Sequence, residues 1–223
     1  MRRSLVGAAV LTAAFAVTSV LVVTGKLQRL DEYAVDHWMP GFTPVGASGL
    51  NARGLVRPFP LAANGWERVA DVWAYPGSFV ISGLATAVAC VVLWRRRRLA
   101  AAAIWLGAWL FANAIDYVGK RELDRPALHW QHHGMQVAIS SFHNSYPSGH
   151  TIRALFVVAL VFFFARRFVV PAILWFLLVP PLLVVSAGHT PSDVVGGLFA
   201  GLALVLLVTA ALSSRRVREE ALR

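Results

Sequence analysis

Three short stretches of this chain carry residues that could do chemistry. In SYPSGHT, 145–151, a turn-forming Pro-Ser-Gly run delivers His150 to the start of an apolar run. In SAGHTPSDVVGG, His189 and Asp193 stand four residues apart at the entry to another apolar run. In GKRELDRP, Lys120, Arg121 and Arg125 follow a third. Pro191 is a favoured first-turn residue, so a helix starting there lets the Asp193 carboxylate reach back towards His189. An aspartate on one ring nitrogen fixes the tautomer of a histidine and makes the other nitrogen a base or nucleophile. Ser148 suits an N-cap. Gly149 lets an anion approach the backbone, and the unpaired N–H groups and positive end of a helix suit phosphate. A histidine there could give a proton to a leaving oxygen.

Each stretch alone also has a plainer reading. His150 can be a bystander on a capped helix, Ser192 or Asp193 can cap the next helix beside an interfacial His189, and the cations can anchor a membrane edge. Asp116, one turn before Lys120, would then be their partner, since acids at membrane depth tend to be paired. Taken together, two histidines, one of them backed by an aspartate, and a basic cluster form a set for phosphoryl transfer through a phosphohistidine. One imidazole attacks phosphorus and the other protonates the leaving alcohol. Cations and helix N–H groups stabilise the equatorial oxygens, and no metal is required.

These residues need elements to position them. The 223 residues are 57% hydrophobic and 14% charged, with a mean hydropathy of +0.62. Soluble domains carry about 25% charged residues, so this is a membrane protein, and by length a single domain, 1–223. The lone Cys90 excludes an internal disulfide framework. A net charge of +10 would suggest nucleic acid in a soluble protein, but here the positives flank apolar runs and no nucleic-acid partner is expected. Six stretches approach the length of about 20 residues needed to cross a bilayer: 4–24, 75–94, 99–118, 150–165, 169–187 and 193–212. The reading is all-α, a polytopic six-transmembrane-helix bundle. The fourth stretch is short, and Pro171, Pro180 and Pro181 predict a kink in the fifth. The first follows MRRS and is longer than a signal-peptide core of about 7–15 residues, which favours an uncleaved anchor over a cleaved signal.

Charge orients the bundle. Arg2, Arg3, Arg95–Arg98, Arg166, Arg167, Arg215, Arg216, Arg218 and Arg223 all fall on one side, which the positive-inside rule makes cytoplasmic, with both termini. Segments 25–74, 119–149 and 188–192 then face outward. All seven histidines lie on that outer side: His37, His129, His132, His133, His143, His150 and His189. A site assembled there would act on an outer-leaflet headgroup or a substrate outside the cytoplasm. Segment 25–74, with Trp38, Trp66 and Trp73, is expected to hold an interfacial helix covering the site.

With PSGH at 147–150 and HTPSD at 189–193, the sequence resembles the type 2 phosphatidic acid phosphatase (PAP2) family of membrane lipid phosphate phosphatases. That family shows KxxxxxxRP, PSGH and SRxxxxxHxxxD in order on a six-helix core, and the resemblance covers most of residues 75–212. It implies that His189 is the nucleophile, Asp193 its orienting partner and His150 the general acid. It also implies that Ser148, Gly149 and Lys120 bind phosphate, and that the expected location is a bacterial cell membrane. Two motif arginines are missing from their places. Where the first motif expects Arg-Pro the chain has Ala127-Leu128, with Arg125-Pro126 two positions early, and the Ser-Arg of the third motif falls on Leu182-Leu183. Losing both arginines would weaken transition-state stabilisation by about 2–3 kcal/mol per donor.

Arg153 offers a replacement. It lies three residues after His150, on the same helix face, and an arginine one turn inside a membrane helix points to function. Arg153 and Arg125 are expected to supply the missing charge, although Arg153 can also simply snorkel to the interface. The implied substrates are a polyprenyl diphosphate, phosphatidate or phosphatidylglycerol phosphate, with no cofactor and with the bilayer as partner. Two other readings stand beside this one. The first is a catalytically weak headgroup-binding member of the family. The second is a zinc or copper site at His129, His132, His133 and His143, against which the same histidines, with Trp130, would line a headgroup entrance.

Overall fold

The computed structural model describes residues 1–40, 42, 66–132, 135–139 and 142–214. Within them run α1 (Arg2–Val23), α2 (Gln28–Trp38), α3 (Glu67–Ala74), α4 (Phe79–Arg95), α5 (Leu99–Glu122), β1 (Leu128–His132), β2 (Met135–Ile139), α6 (Gly149–Phe164), α7 (Val169–Val185) and α8 (Pro191–Leu212). Four of the helices, α1, α5, α7 and α8, are long and apolar enough to cross a membrane, and a fifth crossing runs from Arg68 to Arg95. Their outward faces carry Val10, Leu84, Leu110, Leu174 and Leu177, all well exposed. Lipid is the only solvent in which such faces are stable, because a helix satisfies its own backbone there. The chain is a multi-pass helical membrane protein.

The remaining apolar helix, α6, has 16 residues. At about 1.5 Å per residue it is shorter than a hydrocarbon core of about 30 Å. Among the described residues, five helical stretches suffice by length and composition, and α6 is a shorter apolar helix at the place of the expected fourth span. It begins where the Ser148 hydroxyl accepts a hydrogen bond from Thr151 N (3.3 Å) and stops at Ala165, before a 3-10 turn at Arg166–Phe168. In α7, Pro171 sits in the first turn, where its missing N–H costs nothing; the helix runs on through Pro180 and Pro181. Arg215, Arg216, Arg218 and Arg223 lie outside the described residues.

Two apolar clusters build the interior. Within the bundle, Trp105, Ala108 and Ala112 of α5 pack on Ile152 and Phe156 of α6 and Ala200 and Leu204 of α8. At the end where α6 and α8 begin, Val35 and Met39 of α2 join Leu128, Ile139, Phe142, Val179, Leu183 and Val194. Helix α8 is central, touching α1, α5, α6 and α7.

A short hairpin, β1 paired antiparallel with β2, occupies part of what the sequence left as loop 119–149. Its register sets Leu128 opposite Ile139, and the pair closes the second cluster. Helix α2 clamps this hairpin along one face: Gln28 Nε2 donates to Ala127 O (3.0 Å), and Glu32 and Asp36 accept from His129 N (2.9 Å) and Gln131 N (3.2 Å). The adjoining face of α2 buries Asp31, Ala34 and Val35. Glu32 stays ionised more readily than an ordinary glutamate: its burial works against this, but Gln28 and His129 donate hydrogen bonds to it.

The Gly196-Gly197 pair of α8 permits a close approach of the loop before α6. A Cβ on Gly197 would stand 2.7 Å from Ser148 O, and one on Gly196 would meet the Tyr146 ring. Gly197→Ala should therefore push the 146–148 loop off α8 and cost about 1–3 kcal/mol, read as a lowered thermal unfolding temperature in detergent.

Candidate active site

The loop before α6 is held from several sides. Ser148 N donates to Asp193 O (2.9 Å), tying PSGH directly to the start of α8. Tyr146 is buried, its ring stacked on Phe15 and its hydroxyl 3.0 Å from Ser19 Oγ. Burial pushes that hydroxyl's pKa up to about 12, so it stays neutral. These contacts bring the His150 and His189 rings to a centroid separation of 6.4 Å.

His189 is placed by the end of α7. Ala187 takes a left-handed conformation (φ 59°), and Gly188 N and His189 N both donate to Leu183 O (2.9 and 3.0 Å). The side chain of Leu183 is fully buried in the apolar cluster. The position where the third motif would carry arginine therefore faces the core, and its backbone carbonyl anchors His189. The imidazole is 4% exposed, and its Nδ1 lies 3.4 Å from Asp193 Oδ2, within ion-pair distance but not aligned as a hydrogen bond. Asp193 is held by a capping box with Thr190, whose N–H donates to Oδ2 (2.9 Å).

The other Asp193 oxygen belongs to Arg125. Arg125 Nη1 donates to Asp193 Oδ1 (3.0 Å) and Thr190 Oγ1 (3.1 Å), while Nη2 donates to Asp31 Oδ2. Asp31, fully buried, also accepts from Ser192 N (3.0 Å) and Ser192 Oγ (2.6 Å). Burial raises the Asp31 pKa, and Arg125 and Ser192 oppose that rise. Arg125, expected to grip phosphate, has both its terminal nitrogens bonded to carboxylates and a hydroxyl in this structure. Sequence reasoning missed Asp31 altogether. Its signal was an acid on the apolar stripe of an amphipathic helix, beside Ala34 and Val35.

A second charged group lies on the α5 side. Asp116 Oδ1 is 2.8 Å from Lys120 Nζ, and Asp116 Oδ2 accepts from Arg153 Nη1 (2.7 Å). Arg153 also donates to Asn113 Oδ1 (3.1 Å) and, through Nε, to Gly77 O (3.0 Å). Arg153 is buried, not snorkelling, and with Asn113, Asp116, Tyr117, Lys120 and Asn144 it lines an open cleft of about 660 Å³. His150 lies within electrostatic reach of Arg153, Lys120, Asp116 and His189. A Cβ on Gly149 would land on the Asp116 carboxylate, so that carboxylate rests against the first residue of α6. Ser148 is fully buried as the cap of α6, its hydroxyl accepting from Thr151 N and Thr151 Oγ1 (3.3 and 3.0 Å). Ser148 and Gly149, the expected phosphate contacts, thus stand at the start of α6, the one as its cap and the other against Asp116.

The metal alternative finds no support among the described residues, where no cluster of three or more ligand side chains forms. His129 Nδ1 lies 3.0 Å from Glu32 Oε1, and the exposed His143 lies 3.8 Å from Asp124. His133 lies outside the described residues. Trp130 packs edge-on against Phe42 at the second apolar cluster.

A model of the PAP2 superfamily matches residues 99–216. The chain belongs to that superfamily. Its fold is similar to the crystal structure of a transmembrane PAP2-type phosphatidylglycerolphosphate phosphatase from Bacillus subtilis, with 17% identity and a TM-score of 0.55 over 91% of this chain and 94% of the other. No curated protein matches. The family match begins at α5, so α1 to α4, and Asp31 with them, lie outside it.

Because Arg125 separates two buried carboxylates, Arg125→Gln should destabilise the protein by about 3–5 kcal/mol, the cost of leaving buried charge uncompensated. Thermal unfolding in detergent measures it.

Proposed function

We propose that this PAP2-superfamily protein is a phosphatase that hydrolyses a lipid phosphate or diphosphate through a phosphohistidine. The observation that carries the reading is the pair of imidazoles 6.4 Å apart, one of them backed by Asp193. A reacting phosphorus about 3 Å from one ring, with its leaving oxygen about 3 Å from the other, fits that separation.

The nitrogen roles follow from the contacts. Nδ1 of His189 faces Asp193, so Nε2 is the nucleophile. Its lone pair forms the N–P bond as the P–O bond to the lipid alcohol breaks, and His150 gives its proton to that oxygen. Water then attacks phosphorus, His150 takes the water's proton, and the N–P bond breaks to free phosphate and His189. Asp193 orients His189 and stabilises the imidazolium. Lys120 and Arg153 take the equatorial oxygens, for which Asp116 must release them. The positive-inside arrangement of the arginines supports an outer-face site, with both termini cytoplasmic. Polyprenyl diphosphate, phosphatidate and phosphatidylglycerol phosphate are the substrates to compare.

The competing reading, a headgroup binder with little turnover, is favoured by one observation: Asp116 already pairs with both Lys120 and Arg153, which leaves the group one net positive charge to hold an anion without freeing either cation for the reaction. Phosphate release from the three lipids by purified protein separates the two. We expect turnover on at least one lipid, a loss of about 10²–10⁴-fold for His150→Ala and no detectable release for His189→Ala. Arg153→Ala should lower kcat/KM by about 10²–10³-fold, as removal of a transition-state donor does. Full turnover in His189→Ala would refute the mechanism, and binding of all three lipids without release would establish the binder.

A further inference from the structure

We propose that Asp31 is a positioning residue for the His189–Asp193 pair: by binding the far side of Arg125 it keeps that arginine from neutralising Asp193. The inference rests on the reading of His189 as nucleophile and extends the site to helix α2, which lies outside the family-matched region.

The geometry is a row of alternating charge. Asp31, Arg125 and Asp193 are linked by direct hydrogen bonds, and His189 stands next to Asp193. All three charged side chains in the row are buried. At such a depth a lone guanidinium bonded to Asp193 would cancel most of the field that Asp193 exerts on the imidazole. Two carboxylates sharing one guanidinium leave one net negative charge, and His189 stands beside it with Nδ1 3.4 Å from Asp193 Oδ2. The other charges facing the two histidines are Lys120, Arg153 and Asp116, which form their own cluster on the α5 side.

Asp31 fixes position as well as charge. Its two bonds to Ser192 pin the first turn of α8, the turn that carries Asp193, and a carboxylate at that end also suits the helix dipole. Asp31 is itself aimed by its helix. Gln28, Glu32 and Asp36 fasten the adjoining face of α2 to Ala127 and β1, and Val35 and Met39 sink into the core. A carboxylate here that served only the fold would be lost without a specific effect on the chemical step.

The test uses the full-length protein in detergent and the lipid it hydrolyses fastest among phosphatidate, phosphatidylglycerol phosphate and polyprenyl diphosphate. Asp31→Asn keeps the shape and removes the charge. It should lower kcat by about 10–100-fold, the usual loss when an outer partner of a working group is removed, with KM little changed. The double variant Asp31→Asn with Arg125→Gln removes both partner charges and should recover kcat by about tenfold over Asp31→Asn, against an expectation of further loss if the two residues only support the fold. His189→Ala run alongside tests the underlying reading: turnover that survives it overturns both. If His189→Ala is dead, wild-type kcat in Asp31→Asn overturns the positioning role alone. So does a double variant no better than the single, including one in which both fail to fold.

Discussion

Everything at the working end of this molecule depends on one buried cation being matched. Arg125 is 4% exposed, at the edge of a lipid-embedded bundle, where an uncompensated guanidinium would cost several kcal/mol. Compensation comes from two carboxylates on different helices, and it requires those helices to meet. Asp31 brings α2 down over the bundle, Asp193 brings the first turn of α8, and the segment after α5 delivers the arginine between them. The arrangement that satisfies the charge also sets the orientation of Asp193, and through it the surroundings of His189.

The same logic recurs across the site. Arg153, one turn into α6, is matched by Asp116 and Asn113 from α5 and by the carbonyl of Gly77. Each buried arginine thus cross-links elements that apolar packing alone would leave free to slide, since lipid gives helices little hydrophobic reason to associate. Small residues make the approach possible. Gly149 accepts the Asp116 carboxylate against its Cα, and Gly196 and Gly197 accept the loop that carries Tyr146 and Ser148. The two ionic groups flank the histidines and differ in character. The Arg125 group is closed, with its carboxylates fully buried. The Lys120–Asp116–Arg153 group opens onto a cleft, which is why the proposed mechanism gives it the phosphate.

Much of this was legible from sequence, for reasons of short range. The apolar runs state the helices because a bilayer accepts little else, and helix alternation alone puts His150 and His189 at the same end of the bundle. Ser148 as the cap of α6, and the reach of Asp193 back towards His189, follow from spacings of three and four residues on a helical turn. PSGH and HxxxD pointed to the superfamily that residues 99–216 match. What lay beyond reach was every partner choice made across the chain. Asp31 meets Arg125 across 94 residues and Ser192 across 161, and no periodicity encodes such a pairing. The hairpin was hidden because its strands are short and among the described residues only Leu128 and Ile139 are fully buried, with Trp130 packed partly beside them. Types and local spacings therefore determined which residues could do the chemistry. Only the packed structure decided that Arg125 pairs with Asp31 and Asp193, that Leu183 belongs to the core and that Arg153 stands at the cleft, because a buried charge takes the partner that three-dimensional packing brings to it.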